Sequence, residues 1–319
     1  MKVCNYFFKI FLIIFFPITV FSQGFITNKS NYDTNNKSFP LTRSILPSAF
    51  SLEKFTHTPI DQGNYSMCSS YSLASIQSIT FFKRNNISDI NQIDNNLFSP
   101  TFLYFLFKNN DDLSCSNGMD AQYSINQLIE YELGIPKKRY VEENKFSSIC
   151  DYYPYTESDL KHDLIEGSKF IFDDLYIHTI KLKNGMYKAK HKEIKQQLLN
   201  GNPSLLSIPT DSNFHYQQSS NFCKKINSNL EPTHAVVIIG FDDLKFGGSY
   251  RILNSWGEDW EDNGKAWIKY VDLDAFLGDI MSVELVEVKD IVLDDKYWSN
   301  IISVFDRDFK FMNDTLIKK

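Results

Sequence analysis

Asp61-Gln62-Gly63-Asn64-Tyr65-Ser66-Met67-Cys68-Ser69-Ser70-Tyr71-Ser72 carries one cysteine out of a turn-rich loop and into the first turn of a helix. Gly63, Asn64 and Ser66 are turn formers. From Tyr71 to Phe82 apolar residues recur at helical spacing over a length too great for a strand. Cys68 therefore opens a helix, where unpaired backbone N–H groups and the positive end of the helix dipole stabilise an anion. A histidine cation beside such a thiol brings its pKa from about 8.5 into a range of roughly 3.5 to 7.5. A small buried hydrophobe is the commoner fate of a free cysteine, so the stretch needs support from elsewhere in the chain.

That support lies far downstream, in Thr233-His234-Ala235-Val236-Val237-Ile238-Ile239-Gly240-Phe241 and in Tyr250-Arg251-Ile252-Leu253-Asn254-Ser255-Trp256-Gly257. A glutamine, a cysteine, a histidine opening an apolar strand, and Asn-Ser-Trp-Gly form a specific combination in that order. Over about residues 46–288 the chain resembles the papain-like cysteine peptidases of the C1 family. Leu46-Pro47 matches the start of the mature domain, Asp61-Gln62-Gly63 with Cys68 the nucleophile loop, His234-Ala235-Val236 the histidine strand, and Asn254-Ser255-Trp256-Gly257 the most distinctive motif. Ser99-Pro100, Gly134-Ile135, Tyr153-Pro154-Tyr155 and Gly201-Asn202-Pro203 agree more weakly. His234 follows Cys68 by 166 residues, more than the roughly 130 to 150 usual for this arrangement, as an insertion would produce.

The chain also departs from the family pattern. Tyr65 stands where the family carries a cysteine three residues before the nucleophile, and Ser69 where it carries a tryptophan. The glycine pair lining the substrate cleft is present only as Cys115-Ser116-Asn117-Gly118-Met119. The resemblance implies an α+β, two-lobed fold with a mainly helical half at about 46–160, a mainly antiparallel β half at about 165–290, and the active site in the cleft between them. It implies Cys68 as nucleophile, His234 as its acid–base partner, Asn254 orienting His234, and Gln62 in the oxyanion hole. Asn117, Gly118 and Trp256 would border the substrate, Trp256 also shielding the His234 to Asn254 hydrogen bond. No cofactor or metal is required, and no Cys-x-x-Cys or His-x-x-x-His spacing suggests zinc.

Around this domain, residues 1–22 have the layout of a secretory signal peptide: Lys2 and Lys9, an apolar run from Ile10 to Phe16, and Ser22 at the cut. The run is short of the roughly 20 residues a spanning helix needs, which predicts a secreted or periplasmic product without a membrane span. Its removal takes two lysines and moves the formal charge from −6 to −8, which disfavours nucleic acid and anionic lipid. Residues 23–45 read as a flexible leader or short pro-segment, and 291–319 as a C-terminal extension. A monomer acting on peptides or proteins is expected. The sequon Asn64-Tyr65-Ser66 beside the nucleophile, where a glycan would block the cleft, fits a bacterial source.

Patterning predicts helices from Cys68, from Pro100 with Ser99 as cap, over about 120–133 ahead of Gly134, and over 190–200 ending at Gly201. Strands are predicted at 204–208, 234–241, 250–254, 265–270 and 280–288. Of the cysteines that outlast the signal, Cys115 and Cys150 fall in the helical half and are the expected disulfide. His57, His162, His178, His191 and His215 have no partner pattern and read as surface residues. Two function classes follow: a cysteine peptidase, or a weak or inactive relative that binds peptides or proteins in the same cleft.

Overall fold

The first helix decides how the rest of the chain is arranged. A computed structural model of the chain describes residues 39–41, 45–109, 112, 114–139, 157–215 and 223–288. The predicted signal peptide and C-terminal extension, Cys150 and Tyr153-Pro154-Tyr155 lie outside the described residues. Strand β1 (Ala49–Ser51) is followed by helix α1 (Cys68–Arg84). Leu73, Ile76, Ile79 and Phe82 of α1 are buried, and so is its polar Gln77. The Gln77 amide meets both backbone groups of Ile135, donating to its carbonyl at 2.8 Å and accepting from its N–H at 2.9 Å. A buried amide is tolerated here because both its ends are paired.

Helices α2 (Ile90–Asp94), α3 (Pro100–Phe107) and α4 (Ala121–Glu130) complete the packing around α1. Asp89, Ser99 and Asp120 cap them through side-chain oxygens that accept from Gln92, Phe102 and Tyr123 backbone N–H groups. α4 stops at Glu130, short of the predicted end. Glu132 takes the positive φ of 51°, so Gly134 is not the cap. A Cβ on Gly134 would lie 1.9 Å from Phe170 O and 2.6 Å from Gly167 O. This glycine allows two backbones to cross where the helical half gives way to the sheet.

Helix α5 (Glu157–Gly167) leads into β2 (Phe170–Ile177), the hairpin β3 (Thr179–Lys181) and β4 (Tyr187–Ala189), and helix α6 (His191–Asn200). α6 ends on Gly201 at φ 91°, a left-handed cap, as its sequence predicts. There follow β5 (Ser204–Ile208), the short helix α7 (Ser212–His215), β6 (Cys223–Lys224), β7 (His234–Asp242), β8 (Ser249–Leu253), β9 (Lys265–Lys269) and β10 (Ile280–Glu287). The main sheet runs β2-β10-β5-β7-β8-β9-β6, antiparallel except for the β6 and β9 pair. β5 covers β7 only from His234 to Ile238, and β1 takes the same lane from Gly240 to Asp242. Residues 49–51, read as part of the helical half, thus belong to the sheet.

β7 is buried along nearly its whole length and packs against α1. Cys68 opens this helix and His234 opens this strand, so the two residues belong to the packed α1 and β7 pair. His57 and His178 are buried, which corrects their reading as surface residues. His57 bonds Thr58 O and Ser75 Oγ, and His178 bonds Glu193 and Ser282. Phe39, in the leader, rests edge-on against Tyr176 at 5.4 Å and His178 at 6.2 Å between centroids.

Gly134→Ala is expected to lower stability by about 3 kcal/mol or more, because backbone carbonyls cannot move aside as side chains do. Gly185→Ala, at φ 85° with nothing within 4 Å of the added carbon, is expected to cost about 1 to 2 kcal/mol. Urea midpoints of the two variants compare them directly.

Candidate active site

Cys68 is the first residue of α1 and is fully buried. Met67, at the N-cap, supplies no capping side chain, and the first turn holds no acidic residue. The positive helix end is therefore not neutralised locally and acts on the thiol. Cys68 and Cys223 are thiols that take part in no disulfide. Cys115 is disulfide-bonded, and the other member of the expected Cys115–Cys150 pair lies outside the described residues.

The loop ahead of Cys68 is joined to the Asn254 motif by main-chain bonds. Gln62 N–H donates to Ser255 O at 2.9 Å, Gly257 N–H donates to Ile60 O at 3.2 Å, and Asp61 bridges Trp256. Side chains strengthen the junction. Ser255 Oγ donates to Gln62 Oε1 at 2.5 Å, and Gln62 Nε2 donates to Tyr65 O at 2.6 Å. A carbonyl only accepts, so the nitrogen of the Gln62 amide must face Tyr65, and its second N–H is left for another acceptor. Sequence reading named Gln62 but gave no role to Ser255, the residue that orients it.

The same logic fixes His234. Ser255 N–H donates to Asn254 Oδ1 at 2.8 Å, and that oxygen also lies 2.7 Å from His234 Nε2. A backbone N–H can only donate, so the Asn254 atom shared by both neighbours is oxygen and Nε2 carries a proton. Nδ1 is then the ring nitrogen that gains or loses a proton. It is buried and has no hydrogen-bond partner among the described residues.

Burial pushes His234 down to about 4, with His215 adding in the same direction and Asn254 opposing it. His234 alone is therefore neutral at pH 7. A thiolate about 4 Å away, at an effective dielectric constant of about 20, would contribute on the order of 4 kcal/mol, or about three pKa units. A thiolate at that separation would bring the pKa of the imidazole back toward neutral pH, where charged and neutral forms coexist.

Trp256 lies against His234 with centroids 4.6 Å apart and planes at 26°. His215, read as a surface residue, stacks on the same indole at 4.8 Å and 17°. Phe214 and Trp260 pack around this group. Helix α7 offers too little periodic sequence to have revealed His215 in advance. Asn117 and Gly118 sit in the loop after α3, where Ser66 N–H donates to Cys115 O at 2.7 Å and Ser66 Oγ to Ser116 O at 2.9 Å. Ser66 thus holds the loop ahead of Cys68 and this loop together.

The family described as papain family cysteine protease matches residues 107–274, just over half of the chain. The match includes Asn117, Gly118, His234, Asn254 and Trp256; Gln62 and Cys68 precede it. A search of the curated proteins finds no match. Among solved structures, xylellain, a cysteine protease from Xylella fastidiosa, is 17% identical with a TM-score of 0.61, covering 84% of this chain and 97% of that one. ProCathepsin B S9 from Trypanosoma congolense is 16% identical with a TM-score of 0.54, covering 83% and 87%. Digestive procathepsin L 3 of the Tenebrio molitor larval midgut is 13% identical with a TM-score of 0.53, covering 78% and 74%. At these identities the likeness is one of fold.

In Cys68→Ser no thiolate forms, so His234 is expected to stay neutral until about pH 4, read from its ring proton shifts by NMR. Between pH 6.5 and 4 the unfolded chain binds a proton that the folded chain does not. Stability of this variant should therefore fall as pH drops through that window, and fall less when His234→Phe is added.

Proposed function

Because the chain belongs to the papain family of cysteine proteases, we propose that it is a secreted or periplasmic cysteine peptidase hydrolysing peptide bonds through Cys68, His234 and Asn254. The observation that carries this reading is the His234 to Asn254 hydrogen bond, whose direction leaves Nδ1 to handle the proton. Export rests on the signal-like residues 1–22. Among the described residues no helix is long and apolar enough to cross a membrane.

In this mechanism Cys68 gives its proton to His234 Nδ1, and each charge sustains the other. The thiolate adds to the peptide carbonyl, forming a C–S bond as the carbonyl electron pair moves onto oxygen. The second N–H of Gln62 Nε2 and the Cys68 backbone N–H donate to that oxygen. Collapse breaks the C–N bond, and Nδ1–H protonates the departing amine. Neutral His234 then takes a proton from water, whose oxygen attacks the thioester. The C–S bond breaks, releasing the carboxylic product and restoring the thiolate beside the imidazolium. Asn254 holds the ring without adding a charge of its own, and Trp256 covers that bond. Asn117 and Gly118 border the bound peptide.

A second reading, a weak or inactive relative that binds peptides in the same cleft, draws on Ser69. Its buried hydroxyl has no partner among the described residues, where the family carries a tryptophan. Mass spectrometry after treatment with an irreversible epoxide probe separates the two. Rapid labelling at Cys68 is expected, absent in Cys68→Ser and slowed by roughly 10²-fold or more in His234→Ala. Gln62→Ala is expected to reduce kcat/KM on a peptide substrate by roughly 10² to 10³, about 2.7 to 4 kcal/mol. Labelling of wild-type Cys68 at the rate of an unfolded thiol would leave the binding reading in place.

A further inference from the structure

Asp112, 1% exposed, sits at the hub of the loop that follows α3. Its Oδ2 accepts from the Tyr104 hydroxyl at 2.8 Å and from Asn117 N–H at 3.2 Å, and its Oδ1 from Ser116 N–H at 3.0 Å. Lys108 Nζ donates to the Asp112 carbonyl at 2.6 Å. Burial alone would raise the pKa of this carboxyl. The Ser116 N–H, the Tyr104 hydroxyl, the Asn117 N–H and the Lys108 charge outweigh it and hold the group below its ordinary value. The Tyr104 phenol is driven far above its usual range, first by burial and then by Asp112.

Two successive amides, of Ser116 and Asn117, thus turn inward onto one carboxylate, which the Tyr104 phenol also meets. The loop can make this reversal because Cys115 and Gly118 have φ of 52° and 79°. On its other side it is tied to the nucleophile loop through the carbonyls of Cys115 and Ser116, both held by Ser66, two residues ahead of Cys68. A continuous set of bonds therefore runs from Asp112 through Ser116 and Asn117 to Ser66 and on to the nucleophile.

We propose that Asp112 and Tyr104 are positioning residues that set where the Asn117-Gly118 loop stands relative to Cys68, and so determine how tightly the peptide main chain docks. Ser66 transmits that position to the nucleophile loop. This inference rests on the peptidase reading for the role of the loop. Its content concerns affinity rather than thiol reactivity: a buried carboxylate bonded to two loop amides and a phenol fixes the docking loop, while activation of the thiol is assigned to His234 and the helix end.

The test uses the full chain with two readouts. In a Cys68→Ala background, a peptidyl probe lacking its epoxide is titrated against chains with Asp112, Asp112→Asn or Tyr104→Phe. In the Cys68 background, iodoacetamide, too small to need the docking loop, reports the thiolate. Asp112→Asn keeps the side-chain shape but loses the charge and one acceptor, and is expected to weaken peptidyl binding roughly tenfold. Tyr104→Phe is expected to weaken it roughly threefold and stands in if the first variant fails to fold. Iodoacetamide rates should stay within about twofold of the parent, and the epoxide probe should show a raised KI with kinact unchanged. Unchanged peptidyl affinity in both variants, no measurable binding in any background, or iodoacetamide rates falling in step with affinity would overturn the proposal. Wild-type Cys68 reacting with iodoacetamide no faster than a free thiol would instead strike at the peptidase reading, leaving the affinity comparison to stand or fall by itself.

Discussion

The short main-chain junction between Ile60-Asp61-Gln62 and Ser255-Trp256-Gly257 is the constraint on which the site depends. The cysteine and the histidine come from opposite halves of the chain, and the side chains alone provide no ruler between them. Backbone hydrogen bonds provide one, because each fixes a distance to within a few tenths of an ångström. The Ser255 hydroxyl then sets the Gln62 amide, and the Ser255 N–H sets the Asn254 amide. One residue thereby orients both the Gln62 amide, the proposed oxyanion donor, and the partner of the imidazole.

Burial makes that orientation consequential. His234 and Cys68 both lie out of solvent, where an isolated charge is costly and a paired one is not. The imidazole by itself is driven neutral. In the proposed mechanism a negative neighbour reverses this, so that reactivity is a property of the pair and follows geometry rather than the intrinsic acidity of either group.

The parts of the fold that were legible from sequence are those decided within a few residues. Ser99 before Pro100, Gly201 after α6 and the apolar run of β7 each state their role through capping or alternation, and each structure matches. The motif residues were legible because their order along the chain is specific. What escaped was set by distant partners. β1 is only three residues long and becomes a strand because β7 offers an open lane. Gly134 is a glycine because another backbone crosses it. His57 and His178 are buried because Ser75, Glu193 and Ser282, all remote or non-periodic neighbours, satisfy their nitrogens. Asp112 looks in sequence like one more acidic loop residue, and only the reversal of residues 115–118 turns the Ser116 and Asn117 amides toward it.

The placement of β1 bears on how the molecule opens. The segment that leads to the nucleophile is zipped onto the far half of β7, the strand whose near end carries His234. Chain upstream of the cysteine is therefore moored to the histidine's own sheet, and Leu52 N–H extends the mooring to Ile239 O at 2.8 Å. Opening that frees the chain ahead of the cysteine must therefore break its bonds to β7, which ties the order of this segment to that of the strand carrying His234.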